Sequence, residues 1–546
     1  MVGLAADLVL LNGKVVTVDP KDTIAEAVAV KGGRIIKVGT SEEVKALVGE
    51  ETRVIDLEGK TLLPGFIDTH CHPALGGTEI FEVDCRSPPI KSIKEILEKI
   101  REKTEKTPRG EWVRARNYNE NKLIERRHIT RWELDQVAPD NPVFMSKETG
   151  HLYVVNSEAL ELAGITKDTP DPPGGKIDRN PETEEATGLL YETAAMMVTK
   201  IIPPYNVEQI KEGLKHVFKQ FLKWGLTTVH QATAIPISIK ACQELLAAGE
   251  MPIRLNLMVG TLPGVLPGYE VDVDLLGLLV KLGLKSGFGG EKLKVMSVKL
   301  IADGSGSGGS AAVYTPQHRG TKGLGILVTS PEELTKKVIK AHKAGLRVSI
   351  HAIGDRGIDV ALDAIEAALR EHPVADMRHR IEHCSVCTPK QQERLKKLGV
   401  VPCSSIGYMW GVGDDYIENF GPERLKWLHP HRSYIDKGIV ASGNSDWPVS
   451  TADPMKQIYS AVTRKTRTGQ SFDEGECITA MEAIRTYTWN GAYAGYEEDV
   501  KGSIEPGKLA DMVVLSDDIL TLPKDKIKDV KIDMTIVDGE VVYQRV

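Results

Sequence analysis

The sequence predicts an α/β fold: a (β/α)8 TIM barrel, with an inserted α+β subdomain after its first strand and a small β-sandwich domain formed from both chain termini. Three observations predict it. In the middle of the chain, β-branched strand segments alternate with longer amphipathic helices, such as those over 330–344 and 357–371, the pattern of βαβ units around a parallel sheet. At both ends, short strands are joined by Asn-Gly, Gly-Gly and Asp-Gly turns, which are hairpin signals. Between residues 72 and 226 lies a stretch far longer than an ordinary strand-to-helix connection.

The terminal strands are read over 7–16, 24–39, 53–60, 510–515 and 534–543. They assign residues 1–62 and 500–546 to one composite β-sandwich. The barrel domain then takes 63–499, with strands over 62–72, 226–231, 254–259, 294–303, 347–353, 379–384, 400–404 and 439–446. That makes the eight strands a closed barrel needs. The insertion within it covers 78–210 and contains turn-rich runs such as Asp171-Pro-Pro-Gly-Gly.

Composition narrows the function classes. The chain has 546 residues, 41% hydrophobic and 27% charged, with a net charge of −7, ordinary for a large globular protein. Lys and Arg form no block, which argues against nucleic acid. No apolar run reaches the ~18 residues of a membrane span. The N-terminus alternates like a strand and is not read as a signal peptide. Seven cysteines spread along the chain do not suggest a disulfide framework, and a cytoplasmic location is expected. Cys384-Ser-Val-Cys387 is a CxxC without a second one to pair with, so neither a redox nor a zinc-finger role is expected of it.

TIM barrels carry their chemistry at the C-terminal ends of the strands. Here the predicted strand ends hold ligand-type residues: His70 and His72 on the first, Lys299 on the fourth, His351 on the fifth, His383 on the sixth and Asp446 on the eighth. Residues i and i+2 of a strand share a face, so His70 and His72 point into one lumen and Cys71 points away. Each residue alone has a plain explanation, whether a satisfied core histidine or a turn-capping aspartate. A buried lysine on a strand is harder to explain, because the charge loses its hydration. Together they form a set at one edge of one barrel.

The stretch Pro64-Gly65-Phe66-Ile67-Asp68-Thr69-His70-Cys71-His72 resembles the opening signature of the amidohydrolase superfamily, and the Lys, His, His, Asp order on strands four, five, six and eight resembles it too. More narrowly, the chain is similar to the amidohydrolase 3 group, which includes YtcJ-like proteins, N-substituted formamide deformylases and AepA-type proteins. Supporting stretches are Gly150-His-Leu-Tyr-Val-Val-Asn-Ser, Lys299-Leu-Ile-Ala-Asp-Gly-Ser, His351-Ala-Ile-Gly-Asp-Arg, Ser445-Asp-Trp-Pro-Val and Gly507-Lys-Leu-Ala-Asp-Met-Val-Val-Leu. The chain departs from the group at Gly306-Ser-Gly-Gly-Ser-Ala, where relatives often carry an Arg-containing run.

The resemblance implies a binuclear metal centre. His70 and His72, with Asp446, would hold one ion, His351 and His383 the other, and N-carboxylated Lys299 would bridge them. Zinc suits imidazole and oxygen donors. A metal-activated hydroxide would attack, with Asp446 as general base and acid. The expected reaction is hydrolysis of a non-peptide C–N bond in an amide, formamide or cyclic amide. Alternatives are an ester or carbamate hydrolase on the same site, or a catalytically silent regulatory protein. The expected partner is a small molecule, and a homodimer is the assembly considered. Secondary candidates for substrate contact are His151, Glu192, His230 and Trp447, with Trp410 a weaker one. Asp355 and Arg356 are read as an ion pair beneath the site or as orienting groups.

Overall fold

The computed structural model describes residues 5–87, 89–147, 152–172, 175–260, 274–318 and 323–546. Its central sheet runs, in chain order, β1 (Phe66–Cys71), β2 (Leu226–Ala234), β3 (Arg254–Val259), β4 (Leu293–Ile301), β5 (Val348–Ala352), β6 (Arg380–His383), β7 (Val401–Ser404) and β8 (Ser442–Gly443). Each strand lies beside the next, and every one of these pairings is parallel. The sheet is a nearly closed barrel. At the seam, Thr69 Oγ1 donates to Gly443 O at 2.9 Å. Beyond it, Asp446 N donates to His70 O and His72 N to Trp447 O, each at 2.8 Å.

Helices between the strands follow the sequence closely. The helix Pro331–Lys343 starts on Ser330, whose Oγ accepts from Glu333 N at 3.2 Å, and it buries Leu334, Val338 and Ala341. Those positions fall three to four residues apart and make one face. The helix Asp355–Glu371 buries Ile358, Ala361, Leu362 and Ile365 in the same way.

Two expectations need correction. The strand expected over 62–72 is two strands, Thr61–Pro64 and Phe66–Cys71, paired in different sheets. Gly65 separates them, and a Cβ there would sit 2.3 Å from Thr227 Oγ1. The bare backbone lets the chain pass close to β2 and change sheets. The eighth strand, expected over 439–446, is confined to Ser442–Gly443, and Asp446 beyond it adopts left-handed backbone at φ 52°.

Thr61–Pro64 joins a six-stranded sheet made with Lys14–Val16 and Ile24–Ala25 on one side and Met512–Leu515, Ile532–Val537 and Glu540–Gln544 on the other. A four-stranded sheet holds Leu8–Leu11, Ala27–Lys31, Arg34–Gly39 and Arg53–Asp56. Leu8, Leu10, Leu62, Met512, Val514 and Ile536 share one core, so side chains of both sheets pack together. Val9 and Leu11, on the other face of the same strand, pack with Val44 of the helix Ser41–Lys45. Fully buried Arg254 at the start of β3 ties the barrel to the terminal strands: its Nε and Nη2 donate to Asp511 at 2.7 and 2.9 Å, and Nη2 also reaches Asp538.

The chain divides into two compact units. One holds the barrel and the terminal sheets, and the other spans Ala74–Leu214. The second unit has its own six-stranded sheet, Gly175–Arg179, Ala186–Glu192, Leu152–Val155, Val143–Lys147, Val113–Tyr118 and Val83–Asp84 in spatial order. Its helix Ile93–Thr104 buries Ile93, Ile96 and Ile100 against that sheet. All seven cysteines are free thiols, including Cys384 and Cys387. Among the described residues, no helix is long and apolar enough to cross a membrane.

Candidate metal centre

Six side chains meet at the C-terminal mouth of the barrel. His70 is 1% exposed, and its Nδ1 lies 2.6 Å from Glu382 Oε2. Glu382 is an acceptor, so Nδ1 carries the proton and the Nε2 lone pair faces the site. Glu382 in turn accepts from Arg380 Nε at 2.7 Å and Nη2 at 2.9 Å. Burial alone would raise the Glu382 carboxyl, but Arg380 and His70 hold it well below the usual range. Burial, with Lys299 nearby, brings His70 down to about 4, which keeps the ring neutral.

His383 is oriented by a similar relay. Its Nδ1 is 2.9 Å from Ser405 Oγ, which donates to Asn444 Oδ1 at 2.7 Å. The hydroxyl proton is committed to Asn444, so Nδ1–H is the donor and Nε2 is left for a ligand. His351 places Nε2 3.1 Å from the Gly304 carbonyl, and its Nδ1 is therefore the free nitrogen. Burial lowers both rings, His351 to about 3.

Asp446 lies beside these imidazoles. His72 Nε2 and His70 Nε2 converge on its Oδ1 at 3.0 and 3.3 Å, but neither is aligned for a hydrogen bond, and this buried oxygen has no hydrogen-bond partner. Its Oδ2 accepts from Tyr408 OH. Burial works against ionisation, yet His72, His70 and Tyr408 bring the carboxyl to about 2. Lys299 Nζ is also buried without a partner. Burial pulls this ammonium down to about 8, against the Glu382 and Asp446 carboxylates. Gly260 makes room for this strand, since a Cβ there would stand 2.6 Å from Lys299 O.

Among the described residues, His70, His383 and Asp446 form a group with ligand atoms all within 4.8 Å of one another. His383, expected from sequence to share an ion with His351, stands close to both His70 and His351. The His70 and His383 rings are 4.6 Å apart, and the His351 ring stands 4.5 Å from His383. His383 and Asp446 both adopt left-handed backbone, at φ 67° and 52°, a costly conformation for residues other than glycine. Strand alternation would send Glu382 and His383 to opposite faces; the turn at His383 lets both serve the site.

Three groups escaped the sequence reading. Glu382 and Arg380 share a strand face, and a charged pair inside a parallel barrel is a signal that could have been noticed. Tyr408 comes from the helix Ile406–Gly411 and stacks on His383 at 5.4 Å and 5°; nothing local marks it. Asp68 accepts from His70 N at 3.1 Å, Ser445 N at 3.2 Å and Ser445 Oγ, bracing β1 to the Asp446 turn. Burial pushes its carboxyl up to about 7.

The secondary candidates fare differently. His230 is fully buried, with Nδ1 2.8 Å from Arg380 Nη1 and Nε2 3.0 Å from Asn256 Nδ2. Its strand continues to Ala234, so the residue lies below the mouth with both nitrogens engaged and none left for a substrate. Asp355 and Arg356 form no ion pair; Asp355 Oδ1 accepts from the backbone of Tyr314 and Arg356 at 3.1 and 2.9 Å. Trp447 is half-buried, 5.3 Å edge-on from Phe221, and Trp410 stands 5.7 Å edge-on from Tyr459. His151 lies outside the described residues, as does the side chain of Glu192, whose backbone ends the strand Ala186–Glu192.

Glu382→Gln tests the brace on His70. The amide keeps the size but loses the charge that fixes the imidazole, and loss of such a partner typically costs about 10–100-fold in metal affinity. Competition titration with a zinc chelator is expected to show that loss, with the melting temperature of the metal-free protein reported alongside.

The sequence matches the amidohydrolase family model over residues 53–543. It is 33% identical to an N-substituted formamide deformylase of Arthrobacter pascens, over 99% of this chain and 98% of that protein. It is 31% identical to the putative amidohydrolase YtcJ of Bacillus subtilis, over 95% of this chain and 96% of that protein. In structure it is similar to an uncharacterized metal-dependent hydrolase from Pyrococcus furiosus, with TM-score 0.76, 28% identity, 94% of this chain and 100% of that chain covered. With the family matched over nearly the whole chain, and with relatives of 33% and 31% identity along its length, the protein belongs to the amidohydrolase family.

Proposed function

We propose that the chain is a metal-dependent hydrolase that cleaves a non-peptide C–N bond in a small amide, formamide or cyclic amide. The observation that carries this reading is the convergence of His70, His383 and Asp446 within 4.8 Å. Two buried polar atoms without partners beside it, Lys299 Nζ and Asp446 Oδ1, fit the same reading. Buried polar groups are almost always satisfied, so two orphans among imidazoles fit a site completed by cations. Neutral imidazoles with carboxylate oxygen suit zinc. His70, His72, His351, His383 and Asp446 would hold two ions, with Lys299 as a bridging carbamate. The formamide deformylase relative supports the bond class.

Bound ions would supply Lewis acidity and lower the pKa of water. The protein's own part is proton handling and positioning. Tyr408 occupies Asp446 Oδ2, leaving Oδ1 to take a proton from the attacking water and return it to the departing nitrogen. The amide C–N bond breaks as the new C–O bond forms, giving an acid and an amine. Trp447 supplies apolar wall beside this carboxylate. We read His230 as a support for Arg380, the two terminal sheets as a β-sandwich, and Ala74–Leu214 as the inserted subdomain.

The test is a hydrolysis screen of N-formyl, N-acyl and cyclic amides with zinc-reconstituted protein, paired with metal analysis. Turnover of at least one amide class is expected, lost on chelation and restored by metal. Turnover that survives complete metal removal, or cleavage of esters alone, would overturn the reading.

A further inference from the structure

The opposite end of the barrel carries charges that the metal centre does not use. A cavity of about 220 Å³ there is lined by Ser286, Lys294, Met296, Arg347, Met377 and Tyr496, among others. Lys294 is the second residue of β4, and Arg347 immediately precedes β5. Both therefore stand at the N-terminal ends of adjacent strands, away from Lys299 and His351.

Arg347 is 1% exposed. Its Nε and Nη2 donate to Arg378 O at 3.2 and 2.9 Å, and Nη2 also donates to Ala494 O at 2.8 Å. The Tyr496 ring covers the guanidinium at 4.2 Å. Among the described residues, Nη1 has no hydrogen-bond partner, and no carboxylate lies within the 4.0 Å ion-pair distance of this guanidinium. Buried charges are ordinarily paired. Arg254 and Arg380, the other buried arginines of the barrel strands, obey that rule through Asp511 and Glu382. Arg347 does not.

The neighbouring charges do not repair the imbalance. Lys294 Nζ is 2.5 Å from Glu497 Oε1, but Glu497 also binds Lys501 at 2.8 Å. One carboxylate thus serves two ammoniums, and it forms no ion pair with Arg347. Ser286 Oγ accepts from Arg347 N at 2.8 Å, which leaves its hydroxyl proton free to donate. The cavity therefore presents an unpaired guanidinium nitrogen, a hydroxyl donor and a flanking cation, and it lacks an anion.

We propose that this cavity binds a compact oxyanion, phosphate or carboxylate, with Arg347 supplying the paired charge, Ser286 Oγ a donor and Lys294 a flanking cation. Guanidinium is well matched to such oxygens. Calorimetric titration of the metal-loaded protein with inorganic phosphate, and separately with acetate, tests it. The same titrations on His70→Asn separate this cavity from the metal centre, where binding is expected to persist in full.

Arg347→Gln is expected to weaken binding about tenfold or more, the scale of a charged hydrogen bond, and Lys294→Gln by a smaller factor. Where Arg347→Gln melts too low to titrate, Ser286→Ala and Lys294→Gln decide: weakened binding in either supports the site, and unchanged binding in both overturns it. Tighter phosphate identifies a phosphoryl ligand and tighter acetate a carboxylate, and each supports the proposal. Failure of the wild-type protein to bind either anion, or binding that disappears with His70→Asn, would overturn it.

Discussion

Asp446→Asn is expected to keep the fold and most of the bound metal while losing about 10²–10⁴-fold in kcat, the usual worth of general acid–base catalysis. The amide still offers an oxygen to a cation, while the Tyr408 hydroxyl, which donates to Oδ2 in the native protein, then faces an NH2 group that cannot accept. It cannot take a proton near neutral pH. Because Asp446 Oδ1 is the oxygen without a hydrogen-bond partner, the loss should fall on the proton-transfer step and leave KM nearly unchanged. A purely architectural Asp446, holding the turn before Trp447, predicts the reverse: a lowered melting temperature with near-normal turnover of the folded fraction. Melting temperature, metal content and kcat measured on one preparation distinguish the two.

Lys299→Ala is expected to abolish both stable metal binding and turnover, and a short carboxylic acid such as formate or acetate is expected to restore part of each. The proposed carbamate forms when the neutral amine attacks carbon dioxide, making an N–C bond and releasing a proton. Burial supports the neutral form by lowering the Lys299 ammonium. Removal of the side chain leaves a space in which an added carboxylate can replace the bridging oxygens. Restored activity with restored metal content supports the bridge. Full metal content and full rate in Lys299→Ala, without any added acid, would show that Lys299 bridges nothing.

The barrel was legible because its evidence is periodic and local. Strand and helix patterns alternate in the sequence, and His70-Cys71-His72 announces by its spacing which side chains share a face. What was illegible depends on backbone angles or on distant partners. The break at Gly65 arises from the close approach of Thr227, a neighbour far along the chain. The consecutive use of Glu382 and His383 goes with positive φ at His383, which no propensity scale marks. Tyr408 reaches Asp446 from a helix whose placement follows from the whole fold. His230 looked like a strand-end residue only because its strand was read as ending too early; in the structure Arg380 and Asn256 occupy both of its nitrogens.

The change of sheets at Gly65 constrains how the protein is made. Thr61–Pro64 pairs with Lys14–Val16 on one side and with Met512–Leu515 on the other, in register from Thr61 with Leu515 to Pro64 with Met512, so one of its two partners is made long after it. Domains ordinarily fold from the N-terminus as they emerge, and long-range strand pairing is slow to form. Here Thr61–Pro64 keeps one edge unpaired until Met512–Leu515 is made, while β1, which follows it, has its own partner β2 much earlier. A nascent chain stalled before residue 512 would carry His70, His72, Lys299, His351, His383 and Asp446 and still lack one neighbour of the strand that precedes β1.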